Sequence, residues 1–191
     1  MERLNRSTAP QAKQYTEKII QFGEGNFLRA FIEWIIWKTN KKTDFNASVV
    51  VVQPIDRGMV DMLNEQDCLY HLNLQGLLNG EPVDSVDLID VISRGINPYA
   101  DFQAYMKLAE QPEMRFIISN TTEAGIAFDP ACKFEDAPAS SYPGKLTQLL
   151  YHRYEFFQGD PAKGMILFPC ELIFENGKHL KECIRQYIDL W

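Results

Sequence analysis

The chain has 191 residues, of which 46% are hydrophobic and 24% charged, a composition typical of one globular domain. Its 19 Lys and Arg residues against 26 Asp and Glu residues give a net charge of −7, which argues against broad binding to nucleic acid. No run reaches the roughly 18 apolar residues of a membrane span, and the polar N-terminus lacks the apolar core of a secretory signal. We therefore expect neither nucleic acid nor a membrane as a partner.

Four cysteines and three histidines are scattered along the chain without a C-x-x-C pair. This spacing does not suit a zinc site, and we expect no bound metal. Isolated cysteines are typically reduced, buried thiols, which favours a cytoplasmic location.

The predicted elements begin with a polar arm over residues 1–15 and a strand over 18–22. Apolar residues then recur at helical spacing from Asn26, which predicts a helix to about residue 40 with Asn26 as its N-cap. The residues at this spacing are Phe27, Ala30, Phe31, Trp34 and Ile35. Four consecutive valines within 48–53 indicate a strand buried on both faces, as in a parallel sheet, so the chain opens as a βαβ unit.

The middle of the chain predicts an antiparallel excursion around residues 69–92, with strands over 69–77 and 86–92 and a turn at Asn79-Gly80. The remaining predicted elements are helices over 98–110, 143–157 and 176–190 and strands over 115–119 and 164–168. This alternation predicts an α/β, Rossmann-like domain over 16–191, with a mostly parallel open sheet and helices on both faces. Ligands of such sheets bind beyond the C-terminal ends of the strands.

A glycine motif, Gly23-x-Gly25, joins the first strand to the first helix. Glycines there allow a sharp turn and a close approach of backbone to a pyrophosphate, and the N–H groups of the first helical turn can bind the anion. Leu28 stands where the G-x-G-x-x-G fingerprint has its third glycine. The pattern alone leaves open a dinucleotide, another adenosine ligand or a turn without a ligand. The candidate cofactor-binding residues of the motif are Gly23, Glu24, Gly25, Asn26, Phe27 and Leu28.

The end of the second strand is where an acid would bind a ribose 2′-hydroxyl of NAD. Gln53 occupies the usual place of that acid and Asp56 follows closely, so both are candidate cofactor contacts. The adjacent Arg57 leaves open a 2′-phosphate, as in NADP, and a solvated turn without a ligand also remains possible.

Several motifs resemble one enzyme family. Residues 23–30 match the G-x-G-x-F-x-R-A signature of the polyol-type long-chain dehydrogenases, the mannitol dehydrogenase family, and residues 119–125 resemble its T-x-E-x-G segment. The stretches IIQFGEGNFLRAF, EMRFIISNTTEAGI, KFEDAPASSYPGKLT and PCELIFENG resemble the branch of the family that interconverts D-tagaturonate and D-altronate. The resemblance runs from about Leu4 to the last residue.

The resemblance implies an N-terminal Rossmann domain, NAD as cofactor, hydride transfer to or from a sugar acid in hexuronate catabolism, and a helical C-terminal catalytic domain. The family's catalytic lysine, asparagine and histidine lie in a K-x-x-x-x-N-x-x-H stretch of that C-terminal domain, which these 191 residues do not contain. We therefore expect this chain to bind NAD without turnover. A related mannonate or mannitol-type dehydrogenase remains an alternative.

Further candidates follow the later strands. Thr121, Glu123 and Gly125 lie after the third main-sheet strand, where a Rossmann domain borders the cofactor. The resemblance places Asn176 near the cofactor or substrate, although an N-cap of the last helix is the other interpretation. Glu171 stands where the family has a different residue pair, and it is a candidate for binding a substrate hydroxyl or the nicotinamide amide.

Two other classes of protein use a similar glycine turn after their first strand. An S-adenosylmethionine methyltransferase usually has an acid before the turn and a denser glycine run, and Gln21-Phe22-Gly23 offers neither. A non-catalytic nucleotide-binding module would share the turn and lack the chemistry.

Overall fold

The computed structural model describes residues 3–122 and 124–191 as an α/β domain. The strands are β1 (Thr16–Phe22), β2 (Ala47–Val52), β3 (Tyr70–Leu78), β4 (Glu81–Ile89), β5 (Ile92–Ile96), β6 (Phe116–Ser119) and β7 (Ile166–Pro169). The helices are α1 (Asn26–Ala30), α2 (Ile32–Lys42), α3 (Val60–Asn64), α4 (Phe102–Met106), α5 (Tyr142–Phe156) and α6 (Asn176–Leu190), with 3-10 turns at Lys107–Glu110 and Pro161–Lys163.

The main sheet has the order β5-β2-β1-β6-β7, and every neighbouring pair in it is parallel. The chain moves outward from β1 through β2 to β5, then returns to β6 on the other side of β1. The predicted Rossmann-like sheet is confirmed. Its direction of winding changes between β1 and β6, which is where open α/β sheets bind ligands.

The valines of β2 explain why helices cover both faces of the sheet. Val50 and Val52 pack in the cluster that contains residues of α5 and α6, whereas Val49 and Val51 pack in the cluster that contains residues of α1 and α2. All four side chains are fully buried. Each contributes about 1.5–3 kcal/mol by leaving water, so this strand anchors both layers.

The antiparallel excursion is confirmed, but its second strand differs from the prediction. The turn at Asn79 and Gly80 has φ values of 54° and 85°, as a tight hairpin requires. The strand predicted over 86–92 is wrong because the chain divides there into β4 and β5. Asp90 lies between these two strands, and its carboxylate accepts a hydrogen bond from the backbone N–H of Lys13 at 2.8 Å. After this point β5 pairs with β2 in the main sheet.

The first helix also differs from the prediction. The position before α1 is Gly25, and Asn26 is the first helical residue, so the predicted N-cap is wrong. The helix predicted to run from Asn26 to about residue 40 is interrupted at Phe31, whose ψ of −72° and φ of −111° separate α1 from α2. The Asn26 amide oxygen instead accepts a hydrogen bond from the Arg29 guanidinium.

The side of this helix pair that faces the sheet is offset from the predicted apolar stripe. Phe27, Phe31 and Ile35 are 50%, 46% and 42% exposed. The side chains buried instead belong to Leu28, Glu33, Ile36 and Trp37. A charged residue therefore lies on the buried face of α2.

The helix predicted over 98–110 begins later, at Phe102. Asp101 caps it by accepting a bond from the backbone of Ala104 at 2.8 Å, and the helix ends in a 3-10 turn. The N-terminal segment is tied to the domain, because the backbone N–H of Arg6 donates to Asp67 at 2.8 Å and Ala9 is buried.

Candidate cofactor site

Gly23 ends β1 in a conformation that other residues rarely adopt. Its φ is +112°, and its N–H donates to the Val52 carbonyl at 3.1 Å. A Cβ at this position would lie 2.8 Å from the backbone oxygen of Asn120, which follows β6. Glycine is therefore required here by the fold itself, since the ends of β1, β2 and β6 meet at this point.

Gly25 differs from Gly23, because its backbone is ordinary and its surroundings are open. It has φ −68° and ψ 164°, and a Cβ built on it has no neighbouring atom within 4 Å. Within the described residues, no side chain caps α1, so the N–H groups of its first turn remain available to an anion. The open space beside Gly25 leaves room for the backbone to approach an anion such as a pyrophosphate.

Glu24 joins the glycine turn to the loop that follows β2. Its side chain is only 9% exposed, and its Oε1 accepts a bond from the backbone of Met59 at 3.2 Å. A Cβ on Gly58 would collide with Glu24 and with Gln53. The buried Glu24 side chain therefore holds the glycine turn and the loop after β2 in a fixed relative position.

Gln53 and Asp56 lie in different environments at the end of β2. Gln53 is buried, and its Nε2 donates to the Ile55 carbonyl at 2.8 Å, which shapes the loop. Asp56 and Arg57 are exposed on the same loop. Of the two predicted contacts, Asp56 is the carboxylate that a ligand can reach.

The loop after β6 is held by a carboxylate from the loop after β7. The backbone N–H and hydroxyl of Thr121 donate to Glu171 Oε1 at 3.1 and 3.2 Å, and the Ser119 hydroxyl donates to Oε2 at 3.2 Å. A Cβ on Gly125 would collide with the Thr121 hydroxyl. Glu123, the other predicted contact on this loop, lies outside the described residues.

Asn176 organises the loop after β7. Its Nδ2 donates to the carbonyls of Pro169 at 2.7 Å and Glu171 at 3.1 Å, and its Oδ1 accepts from the N–H of Gly177 at 2.7 Å. The N-cap position of α6 belongs to Glu175, which has φ +51°. Glu171 is 4% exposed, and the side chains of Glu171 and Asn176 both form hydrogen bonds within the protein. These two predicted ligand contacts therefore hold the loops in place.

Replacing Glu171 with Ala is expected to lower the free energy of unfolding by about 1–3 kcal/mol, because three donors in this buried region lose their acceptor. Urea denaturation measures the loss. Glu182→Ala, an exposed change on α6, is the control and should have little effect. Equal stability of the two variants would contradict the role given to Glu171.

The sequence patterns missed a buried polar cluster beneath the glycine turn, formed by Gln21, Glu33 and Tyr70. Gln21 Nε2 donates to the Gly23 carbonyl at 2.9 Å and to Glu33 Oε1 at 2.8 Å. Gln21 and Glu33 are both fully buried. A stripe drawn through Leu28 and Ile36, instead of Phe27, would have placed Glu33 inside.

Tyr70 connects this cluster to the hairpin formed by β3 and β4. Its hydroxyl lies 2.6 Å from Glu33 Oε2 and 2.7 Å from the Arg29 carbonyl oxygen. Burial raises the pKa of Glu33 to about 7, although the hydrogen-bonded contacts with Tyr70 and Gln21 and the charge of Arg29 oppose this rise. Burial and the neighbouring Glu33 also raise the pKa of Tyr70.

Within residues 3–122 and 124–191, no three His, Cys, Asp or Glu side chains are grouped as a metal site would require. None of the helices in these ranges is both long and apolar enough to cross a membrane.

Comparison with known proteins finds relatives of similar sequence and solved structures of similar fold. Residues 17–190 match the family model described as the mannitol dehydrogenase Rossmann domain. Altronate oxidoreductases from Bacteroides thetaiotaomicron and Phocaeicola vulgatus are 73% and 72% identical to this chain over 191 residues, and that from Bacillus subtilis is 52% identical. Each match covers the whole chain and 40% of the relative, so the chain spans about two fifths of the length of these relatives.

A solved structure, the ternary complex of Pseudomonas fluorescens mannitol 2-dehydrogenase with NAD and D-mannitol, shares the fold with a TM-score of 0.79 at 20% identity. The similarity covers 99% of this chain and 42% of that one. A substrate-free D-sorbitol dehydrogenase gives a TM-score of 0.75 at 21% identity over 97% of this chain and 43% of its own. The sequence match over nearly the whole chain shows that this protein belongs to the mannitol dehydrogenase family, of which it carries the Rossmann domain.

Proposed function

We propose that this chain is the NAD-binding domain of an oxidoreductase that interconverts D-tagaturonate and D-altronate. The observation that carries the proposal is the pair of glycines after β1, of which Gly23 makes the turn and Gly25 leaves an open cradle. The altronate oxidoreductases that are 72–73% identical to the chain support the substrate. The mannitol 2-dehydrogenase of similar fold was solved with NAD, which supports the cofactor.

The residues present fit a dinucleotide. The open space at Gly25 accommodates a pyrophosphate, and the first-turn N–H groups of α1 donate to it. The exposed Asp56 would accept from the ribose hydroxyls, which favours NAD, whereas the neighbouring Arg57 would be the residue to bind a 2′-phosphate. The loops at Thr121 and Asn176 border the position of the nicotinamide.

The side chains of this chain bind the cofactor or hold the loops that contact it. NAD supplies the hydride transfer when it is bound. Glu171 and Asn176 hold the loops that flank the nicotinamide, and Glu24 holds the loop that carries Asp56 to the glycine turn. These bonds keep the cofactor loops in one arrangement before the ligand arrives, which reduces the entropy cost of binding.

The domain assignment belongs to the same proposal. We assign residues 16–191 to the cofactor domain, and the general acid to a lysine, with an asparagine and a histidine, in the helical domain that the family resemblance implies. The match covers 40% of the relatives, which leaves room for such a domain in them. The sugar acid is then bound mainly by that second domain. Because Cys68, Cys132 and Cys183 are buried free thiols, the protein suits the reducing cytoplasm.

Titration of the chain with NADH, NADPH and S-adenosylmethionine tests the proposal. We expect NADH to raise the midpoint of thermal unfolding and to bind most tightly, because stabilisation grows with the ratio of ligand concentration to dissociation constant. With D-altronate and NAD, the chain alone should give no absorbance of NADH above background. Preference for S-adenosylmethionine, or no response to any of the three, would overturn the assignment. Altronate oxidation by this chain would refute the proposal that the catalytic residues lie in a second domain.

A further inference from the structure

A buried carboxyl group lies one amide away from the proposed pyrophosphate cradle. Gln21 Nε2 donates both to the Gly23 carbonyl and to Glu33 Oε1, at 2.9 and 2.8 Å. Because both partners of this nitrogen are oxygens, the orientation of the Gln21 amide is fixed by them. Glu33 therefore helps to position the Gln21 amide, which in turn holds the carbonyl of Gly23 in the glycine turn.

The other oxygen of Glu33, Oε2, contacts a hydroxyl group that also contacts a backbone carbonyl. The Tyr70 hydroxyl lies 2.6 Å from Glu33 Oε2 and 2.7 Å from the Arg29 carbonyl oxygen. A phenol has one proton to donate, and a backbone carbonyl can only accept. Each short contact is a separate, two-centre hydrogen bond only if Tyr70 donates to Arg29 and Glu33 donates to Tyr70.

We propose that Glu33 is a neutral, protonated positioning residue, and that its proton completes a chain of hydrogen bonds from Glu33 through Tyr70 to the Arg29 carbonyl at the end of α1. Loss of this proton leaves the Arg29 carbonyl or the carboxylate without its donor and puts a negative charge beneath the glycine turn. Dinucleotide binding, which this inference takes from the proposed function, is thereby coupled to the protonation of Glu33.

The surroundings of Glu33 support the neutral form. The side chain is fully buried, and burial raises its pKa to about 7. The titratable or charged groups that face it are Arg29 from α1, Tyr70 from β3 and Cys68 just before β3. Cys68 is a neutral thiol whose pKa burial raises to about 11. Arg29 favours the ionised form, but its guanidinium bonds to Asn26.

The direction of the coupling follows from the charges. A pyrophosphate carries negative charge throughout the neutral pH range, so an ionised Glu33 beneath the turn repels it. NADH should therefore bind more tightly at a pH below the pKa of Glu33 and more weakly above it. By linkage, NADH binding near neutral pH should be accompanied by uptake of a proton.

Glu33→Gln separates the proton from the shape of the side chain. The amide NH₂ of glutamine can donate to Tyr70 and its oxygen can accept from Gln21, which reproduces the neutral acid at every pH. Tyr70→Phe breaks the chain of bonds and leaves the carboxyl group in place. Glu182→Gln makes the same charge change on an exposed position of α6 and is the matched control.

The experiment is calorimetric titration of NADH into the wild-type chain and these variants between about pH 6 and about pH 8, in buffers of different ionisation enthalpy. We expect the dissociation constant of the wild type and of Glu182→Gln to rise about tenfold across this range, with proton uptake on binding. Glu33→Gln should keep the tight value throughout and take up no proton. Tyr70→Phe should bind more weakly at acid pH than the wild type.

A pH profile of Glu33→Gln that matches that of the wild type, proton uptake included, would overturn the proposal. Urea midpoints measured without NADH give an independent readout. Since the folded state holds the proton above the ordinary pKa of a glutamate, wild-type stability should fall relative to Glu33→Gln from about pH 4.5 to about pH 7 and then level off. A constant difference would refute the proton assignment, whereas failure of every protein to bind NADH would overturn only the proposed function and its coupling.

Discussion

Gly25→Val is expected to fold as the wild type does and to lose at least about 100-fold in NADH affinity, equivalent to about 2.7 kcal/mol. Valine can adopt the backbone of Gly25, with φ −68° and ψ 164°, and no atom lies within 4 Å of the new Cβ. Its side chain would fill the space that we propose for the pyrophosphate. Unfolding midpoints and NADH titration together measure the two effects separately.

Two control variants separate a loss of NADH binding from a loss of stability. Ala162→Val adds similar bulk on an exposed turn before β7, at the opposite edge of the sheet, and should change neither property. Gly23→Ala should instead destabilise the protein, because φ is +112° there and the Asn120 oxygen lies 2.8 Å from the new Cβ. Tight NADH binding by Gly25→Val would place the cofactor elsewhere.

Arg153→Leu should reduce the free energy of unfolding by about 3–5 kcal/mol, because several buried backbone carbonyls lose the donor that they share. Arg153 is 4% exposed, and its guanidinium donates to the carbonyls of Ala109, Gln111, Met114 and Lys163 at 2.7–2.9 Å. Leucine fills part of the volume but removes the guanidinium donor from all four carbonyls, of which that of Gln111 keeps the 3.3 Å bond from the Met114 N–H. The segments before β6 and β7 then lose their common anchor.

Urea denaturation of Arg153→Leu, Arg153→Lys and the exposed control Arg185→Leu measures this effect. Lysine keeps the charge but cannot reproduce the planar fork, so it should recover only part of the stability. Arg185→Leu should stay within about 0.5 kcal/mol of the wild type. Wild-type stability of Arg153→Leu would mean that these bonds contribute little.

The fold was predictable wherever a residue pattern reflects burial on both sides of one element. The four valines of β2 are fully buried, and they predicted a covered parallel sheet correctly. The strand over 86–92 failed because β4 and β5 are separated by only Asp90 and Val91. Local pattern carries no record of the bond from Lys13 to Asp90 that marks this boundary.

The site was predictable in position and only partly in mechanism. Gly23 and Gly25 were located by their place between a strand and a helix, but the pattern could not tell that Gly23 makes the tight turn while Gly25 has ordinary backbone and open surroundings. Glu33 was missed because apolar spacing ignores a buried acid, and its partner Tyr70 is 37 residues away. Such contacts depend on tertiary packing, which spacing along the chain does not encode.

Arg153 and the glycine turn lie at opposite edges of the sheet, since Arg153 bonds to segments that precede β6 and β7 while Gly23 and Gly25 follow β1. In evolutionary terms, this separation lets the ligand change without a cost to the framework. If the proposed site is correct, substitutions at the carboxyl ends of the strands alter what is bound, whereas a loss at Arg153 destabilises the folded protein on which selection for any ligand acts. A lineage that abandons its cofactor should therefore vary first at Gly25 and last at Arg153.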